Sequence, residues 1–160
     1  MNNENITVNM ENLSDVERQQ LLALVEKANA PKDSQWKPKL YEFYYYVNSN
    51  ANVKKDQWCN HCVDESRIAI GNCFKTKEEA EFAAECIKVK AELRALSGGF
   101  KPEIGGEWYA LHYERGDVSV GGYRNMLHHG VHFATREAAN NAIKTIGAER
   151  LKKYYFCIED

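Results

Sequence analysis

The sequence predicts an α+β protein in which an amino-terminal helix is followed by two tandem β-β-β-α units with small antiparallel sheets. Three observations carry that expectation. Capping boxes at Ser14 and Thr76 precede apolar helical stripes. Aromatic and β-branched runs, in a chain with nine Tyr, six Phe and three Trp against three Pro, read as strands. Residue types also recur in one register across the two halves.

The first element follows from Ser14-Asp-Val-Glu17, in which the Ser oxygen accepts an orphan amide and the Glu returns to the cap backbone. A helix over 15–29 results, with Leu21, Leu22, Leu24, Val25 and Ala28 as its apolar stripe, and Pro31 and Pro38 bracket a connector containing Trp36. Residues 1–35 are this helix and connector, 36–99 the first β-β-β-α unit and 100–160 the second.

In the first unit the run Tyr41 to Val47 is a strand ending at a turn rich in Asn, Val53 to Trp58 is a second, and Arg67 to Phe74 is expected as a third. Thr76-Lys-Glu-Glu79 then starts a long helix that runs to about Leu96 and stops at Ser97-Gly98-Gly99. In the second unit Glu107 to Tyr113, Asp117 to Tyr123 and Val131 to Phe133 are strands, and a helix follows from Thr135.

The repeat is visible residue by residue. Phe74, Thr76, Lys77, Glu78, Ala80, Ala83 and Ile87 match Phe133, Thr135, Arg136, Glu137, Ala139, Ala142 and Ile146, each pair 59 positions apart. The first strands match 65 apart, Phe43 with Trp108 and Tyr44 with Tyr109, so the first unit carries about six extra residues, placed at Cys59 to Asp64.

Two surfaces ask for a partner. In the long helix Ala80, Ala83, Ala84, Ile87 and Ala91 form a stripe suited to a sheet. Phe82, Cys86, Val89, Leu93 and Leu96 form a second, which is either covered internally or, through Phe82, Val89, Leu93 and Leu96, a homodimer interface. Both faces of the first strand of each unit are apolar or aromatic, so either both are buried or one displays Phe43, Tyr45, Trp58 or Trp108 to a partner.

Composition bounds the function. With 160 residues, 44% hydrophobic content and a net charge of −2, the chain is expected to fold, and a globally basic nucleic-acid binder is disfavoured. Residues 36–75 nonetheless hold six basic against four acidic side chains, and Lys54, Lys55, Arg67, Arg115 and Arg124 on the sheets are a small set of candidates for phosphate contacts. No apolar stretch is long enough to span a bilayer and the opening residues do not read as an export signal, so a cytoplasmic protein without a membrane partner is expected. Five Cys then read as reduced thiols, with Cys86 and Cys157 as core residues.

Candidate chemistry is sparse. Cys59-Asn60-His61-Cys62 offers a CxxC with an intervening His, but its completions, Cys73 or the distant His128, His129 and His132, do not make a standard second knuckle. It reads as an exposed loop, with Cys59, His61 and Cys62 as weak metal candidates and no cofactor expected. A redox pair is disfavoured because the motif is not expected to open a helix. There is no GxSxG, P-loop or GxGxxG, and no nucleophile and base can be paired, so the chain is read as non-enzymatic.

Two resemblances bear on function. Residues 74 to 81, Phe-Lys-Thr-Lys-Glu-Glu-Ala-Glu after three expected strands, are similar to the arm-type amino-terminal domains of phage integrases, which implies duplex DNA binding through a three-stranded sheet. The stretches 13 to 29, 70 to 83 and 146 to 156 resemble small accessory proteins of phages and prophages of Gram-positive bacteria. That resemblance implies a phage protein acting by binding and blocking a host defence component, and transfers no functional residue. The leading expectation is therefore an inhibitor of an anti-phage defence system, such as an anti-CRISPR, acting by protein–protein interaction in the host cytoplasm. The alternatives are a DNA-binding module and a sponge for a small signalling nucleotide.

Overall fold

The structure, a computed structural model, describes residues 13–29, 36–124 and 130–159, apart from the side chains of 23 and 26–29. Residues 1–35 form one unit and 36–160 another. The first contains helix α1 (Asp15–Asn29), started by the expected capping box: the Ser14 N–H donates to Glu17 Oε2 at 2.9 Å and the Glu17 N–H to Ser14 Oγ at 3.4 Å. Val16, Leu22, Leu24 and Val25 of this helix are exposed.

The second unit opens with the antiparallel hairpin β1 (Phe43–Val47) and β2 (Val53–Gln57), registered Tyr44 to Asp56 and Tyr45 to Lys55. Helices α2 (Cys62–Ala69) and α3 (Lys77–Leu96) follow. A second hairpin, β3 (Glu107–Glu114) and β4 (Asp117–Arg124), is joined by β5 (His132–Phe133) in the order β4-β3-β5. Helices α4 (Arg136–Ile146) and α5 (Ala148–Tyr154) complete the chain. Arg115 and Gly116 turn the second hairpin, both at positive φ (56° and 90°), as a tight two-residue turn requires. Among the described residues no helix is long and apolar enough to cross a membrane.

The α+β class is as the sequence predicts, and the repeated helix starts are as well. Thr76 Oγ1 accepts the Glu79 amide at 3.2 Å and Thr135 Oγ1 the Ala138 amide at 3.1 Å, while the matching Ala80 and Ala139 are both fully buried. The expected third strand over Arg67 to Phe74 is corrected: α2 occupies 62–69, and only Phe74 bridges to Tyr45. The cause is local. Acidic Asp64 and Glu65 fill the first turn of α2, Arg67 the last, and Gly71 at φ 72° follows the helix, so the extra residues of the first unit are spent on a helix.

Helix α3 joins two cores. It packs against β1 and β2 and also against α4 and α5. The larger core gathers Val89 and Leu93 with Leu111, Val118, Val120, Phe133, Ala139, Ala142, Ile146 and Leu151. The smaller is Tyr44, Trp58 and Cys73, flanked by Trp36, Tyr46 and Ile68.

Of the two readings of the Phe82-to-Leu96 stripe, cover within the chain is the one the packing supports over a homodimer face. Val89 and Leu93 are wholly buried, Leu96 packs on the same core, and Phe82 lies against Tyr154 with ring centroids 5.4 Å apart. Ile87, expected on the sheet-facing stripe, is instead exposed, and Ala84 takes the buried place beside Ala80. Arg150 of α5 fixes the helix pair from outside, reaching both Glu92 carboxylate oxygens at 2.7 and 2.9 Å and Glu85 at 3.3 Å.

Candidate docking surface

The first hairpin is held by a polar network whose centre is Asp64, 4% exposed and the one buried charged residue among those described. One Asp64 oxygen accepts the Tyr44 hydroxyl at 2.7 Å; the other accepts the amides of Cys59 at 3.0 Å and His61 at 3.1 Å. Arg67, one turn along α2, donates to Asp56 Oδ2 at 2.6 Å and to the Tyr44 hydroxyl, and its guanidinium lies 3.5 Å from the Tyr46 ring centroid. Burial raises the Asp64 carboxyl, but the bonds from Tyr44, Cys59 and His61, with Arg67 nearby, outweigh it and hold the group below its ordinary value. Burial pushes the Tyr44 hydroxyl and the Cys73 thiol up, the latter to about 11.

A separate set of bonds fixes the segment before β1. The Glu42 amide donates to the Lys39 carbonyl at 2.9 Å, the Tyr41 amide to the Trp58 carbonyl at 2.8 Å, the Trp58 amide to the Glu42 carbonyl at 2.9 Å, and Gln57 Nε2 to the Tyr41 carbonyl at 2.9 Å. Tyr41 is thereby held at φ 66°, a left-handed conformation that costs a non-glycine residue about 1–2 kcal/mol. Its side chain, 65% exposed, stands between Leu40 (52%) and Phe43 (54%). Three large apolar side chains therefore project from a backbone with satisfied hydrogen bonds. Lys55 Nζ lies 4.3 Å from the Phe43 ring centroid and 6.0 Å from that of Tyr45.

The sequence candidates separate on this surface. Phe43, Lys54 and Lys55 are exposed and Tyr45 is half-buried. Trp58 and Trp108 are corrected from binding to core residues. Trp58 is 1% exposed, edge-on to Tyr44 at 6.0 Å, with its indole N–H on Asn60; Trp108, 3% exposed, stacks on Tyr123 at 4.7 Å and meets the edge of His132. Arg67, whose side chain is 16% exposed, is committed to Asp56 and Tyr44 and is not a free phosphate ligand.

The CxxC segment is corrected as well, since Cys62 is the first residue of α2 and Asp64 accepts the amides before it. Cys59 and Cys62 are exposed, with Cys62 Sγ 3.5 Å from His61 Nδ1. Among the described residues no three His, Cys, Asp or Glu side chains gather to hold a metal. His128 and His129 lie outside the described residues, and His132 belongs to β5.

Sequence reasoning missed Leu40, Tyr41 and Asp64. Asp64 had a signal, an acid three residues after a potential cap, with the reach to accept amides there. Tyr41 had none, because its left-handed backbone depends on Trp58 and Gln57 across the hairpin. No protein-family model, curated protein or solved structure matches the chain.

Proposed function

We propose that the chain is a non-enzymatic accessory protein that binds a host protein stoichiometrically through the Leu40–Tyr41–Phe43 ridge, its partner presenting an apolar recess bordered by carboxylates. The observation that carries this reading is the ridge itself: three neighbouring apolar side chains, each more than half exposed, on a backbone fixed before any partner arrives. Such preorganisation lowers the ordering cost of association, and aromatic anchors are the side chains that carry most interface energy.

Charge supports the partner's chemistry. Lys39, next to Leu40 in the chain, and Lys55, over the Phe43 ring, border the ridge and, among the described residues, make no ion pair, whereas Asp56 is neutralised by Arg67. Two lysines beside leucine and aromatic side chains suit an acidic-rimmed apolar recess better than a duplex, which takes several Lys and Arg on one face. The resemblance to phage and prophage accessory proteins supports the biological form of the proposal: a host anti-phage defence component as target, occluded by the bound chain.

The test uses the wild-type chain and a Leu40→Ser/Phe43→Ser double variant as baits in host lysate, followed by binding with the purified partner. The expected result is a partner retained by the wild type, bound one to one, and weakened at least about tenfold by the variant at unchanged thermal stability. Equal recovery by both baits overturns the ridge. A salt-sensitive shift of duplex DNA, abolished by Lys54→Ala/Lys55→Ala, would replace protein binding by the DNA reading.

A further inference from the structure

The ridge calls for an apolar recess bordered by carboxylates, and the chain itself carries one. A groove of about 710 Å³ runs between the first half of α3 and the end of α5 with the tail beyond it. Its apolar walls are Phe74, Phe82 and Tyr154, and its charged lining is five glutamates against a single lysine, Lys153. Phe82 and Tyr154 meet across it with ring centroids 5.4 Å apart, and all three aromatic side chains are half-buried, so apolar surface is left facing the groove.

Three of the glutamates are occupied within the chain. Glu79 accepts the Lys75 and Thr76 amides at 2.9 and 3.2 Å, Glu81 pairs with Lys77 at 2.8 Å, and Glu85 pairs with Lys88 at 2.7 Å and Arg150 at 3.3 Å. Glu78 on α3 and Glu159 on the tail are exposed and, among the described residues, make no ion pair. The tail is held in place: the Tyr155 and Phe156 amides donate to the Leu151 carbonyl at 2.9 and 3.1 Å, and the Ile158 amide to the Lys152 carbonyl at 3.1 Å. Cys157, expected in the core, is instead exposed at this bend, at φ 56°. The groove is therefore formed before anything enters it, as the ridge is.

Groove and ridge adjoin. Phe74 exchanges both backbone hydrogen bonds with Tyr45 of β1, each at 2.9 Å, so their side chains share one face of the sheet, and Phe43, two residues along β1, shares it too. Lys55, opposite Tyr45 on β2, lies on that face over Phe43. We infer that the ridge of one copy of the chain docks in the groove of a second, and the reverse, in a two-fold dimer: Leu40, Tyr41 and Phe43 enter between α3 and the tail, and Lys39 and Lys55 face Glu78 and Glu159. An apolar projection rimmed by lysines beside an apolar recess rimmed by glutamates is self-complementary, which a two-fold interface requires. Two preformed surfaces lose little freedom on docking, and opposite charges at the rim set the register. The pairing rests on the ridge as the docking surface read above and extends it: the dimer covers the ridge, so a host partner competes with a second copy for it.

The full-length chain, with no host protein present, is followed by analytical sedimentation from about 1 to about 100 μM, where the mass should rise from one chain towards two. Lys39→Glu/Lys55→Glu and Glu78→Lys/Glu159→Lys chains should each self-associate at least about tenfold more weakly at unchanged thermal unfolding, because like charges then face each other. Mixed in equal amounts, the two variants should pair, since the reversed ridge meets the reversed groove and the native ridge the native groove. A chain that stays monomeric throughout overturns the pairing, as does self-association that survives both reversals, or mixed variants that remain apart. None of these results touches recovery of a host partner by the ridge. A dimer lost in Leu40→Ser/Phe43→Ser, together with equal recovery from lysate by both baits, supports the pairing and overturns the host reading.

Discussion

The two β-containing halves of residues 36–160 start from the same local grammar and are stabilised by different physics. Around the β3–β4 hairpin the core is apolar throughout: ten buried residues, led by Phe133, Leu93, Leu111 and Leu151, with the large Tyr side chains at its margins. Around the β1–β2 hairpin the buried cluster is smaller, Tyr44, Trp58 and Cys73, with Val47 also buried, and beside it lies the Asp64, Tyr44, Arg67 and Asp56 network. So small a core excludes less water and fixes the hairpin less firmly by burial alone. Hydrogen bonds and charge supply the rest, and they also fix the left-handed Tyr41 that lifts the ridge. The half with the thinner core is the one that carries the Leu40, Tyr41 and Phe43 ridge.

The largest effect expected from this contrast is at Asp64. Asp64→Ala leaves the Tyr44 hydroxyl and two amides without their acceptor, removes the charge 3.9 Å from Arg67 Nη1, and should cost about 3–5 kcal/mol in denaturant unfolding. The pH dependence identifies the source. Because the folded carboxyl lies below its ordinary value of 3.8, its contribution is complete above that value and disappears as pH falls through the lowered one. Asp64→Asn should therefore flatten the acid limb of the stability curve; an unchanged limb would assign the acid sensitivity to another group.

Leu93→Ala, in the apolar half, should cost about 3 kcal/mol by the same measurement, and by equal amounts at pH 4 and pH 7, because no titrating group is touched. A strong pH dependence of that loss would break the contrast between the halves.

Smaller effects test where the halves are alike. Thr76→Ala and Thr135→Ala should each cost about 1 kcal/mol. The first should cost slightly more, since Glu79 also returns a hydrogen bond to the Thr76 amide at 3.2 Å, while the matching position in the second half is Ala138. At the low end, Tyr41→Gly should leave stability equal or slightly raised, because glycine adopts φ 66° without strain, yet weaken partner binding. A chain destabilised by Tyr41→Gly would mean that the ring packs, and that the ridge is structural.

Much of the fold was legible because its signals are local. Ser14, Thr76 and Thr135 announced their helices, the runs Glu107 to Tyr113 and Asp117 to Tyr123 marked two strands, and Phe, Thr and Ala recurring at one spacing marked the two similar helix starts. The site was legible only in part. Phe43, Lys54 and Lys55 were on the right hairpin, but Trp58 and Trp108 were drawn into the candidate set by a bias toward aromatics as contact residues. Their burial depends on Tyr44 and Tyr123, which alternation within a single strand does not reveal. Residues 67–74 did not form the expected strand because the acidic start at Asp64 and Glu65 and the basic end at Arg67 favour a short helix over 62–69.

The amino-acid sequence by itself determined where helices begin, which runs pair as hairpins and that one pattern occurs twice, since caps, turns and periodicity act over a few residues. Tertiary structure alone decided which face of α3 is covered, which aromatics are core and which backbone is forced left-handed. Those outcomes depend on side chains dozens of positions apart competing for the same buried space, and no local pattern encodes the winner.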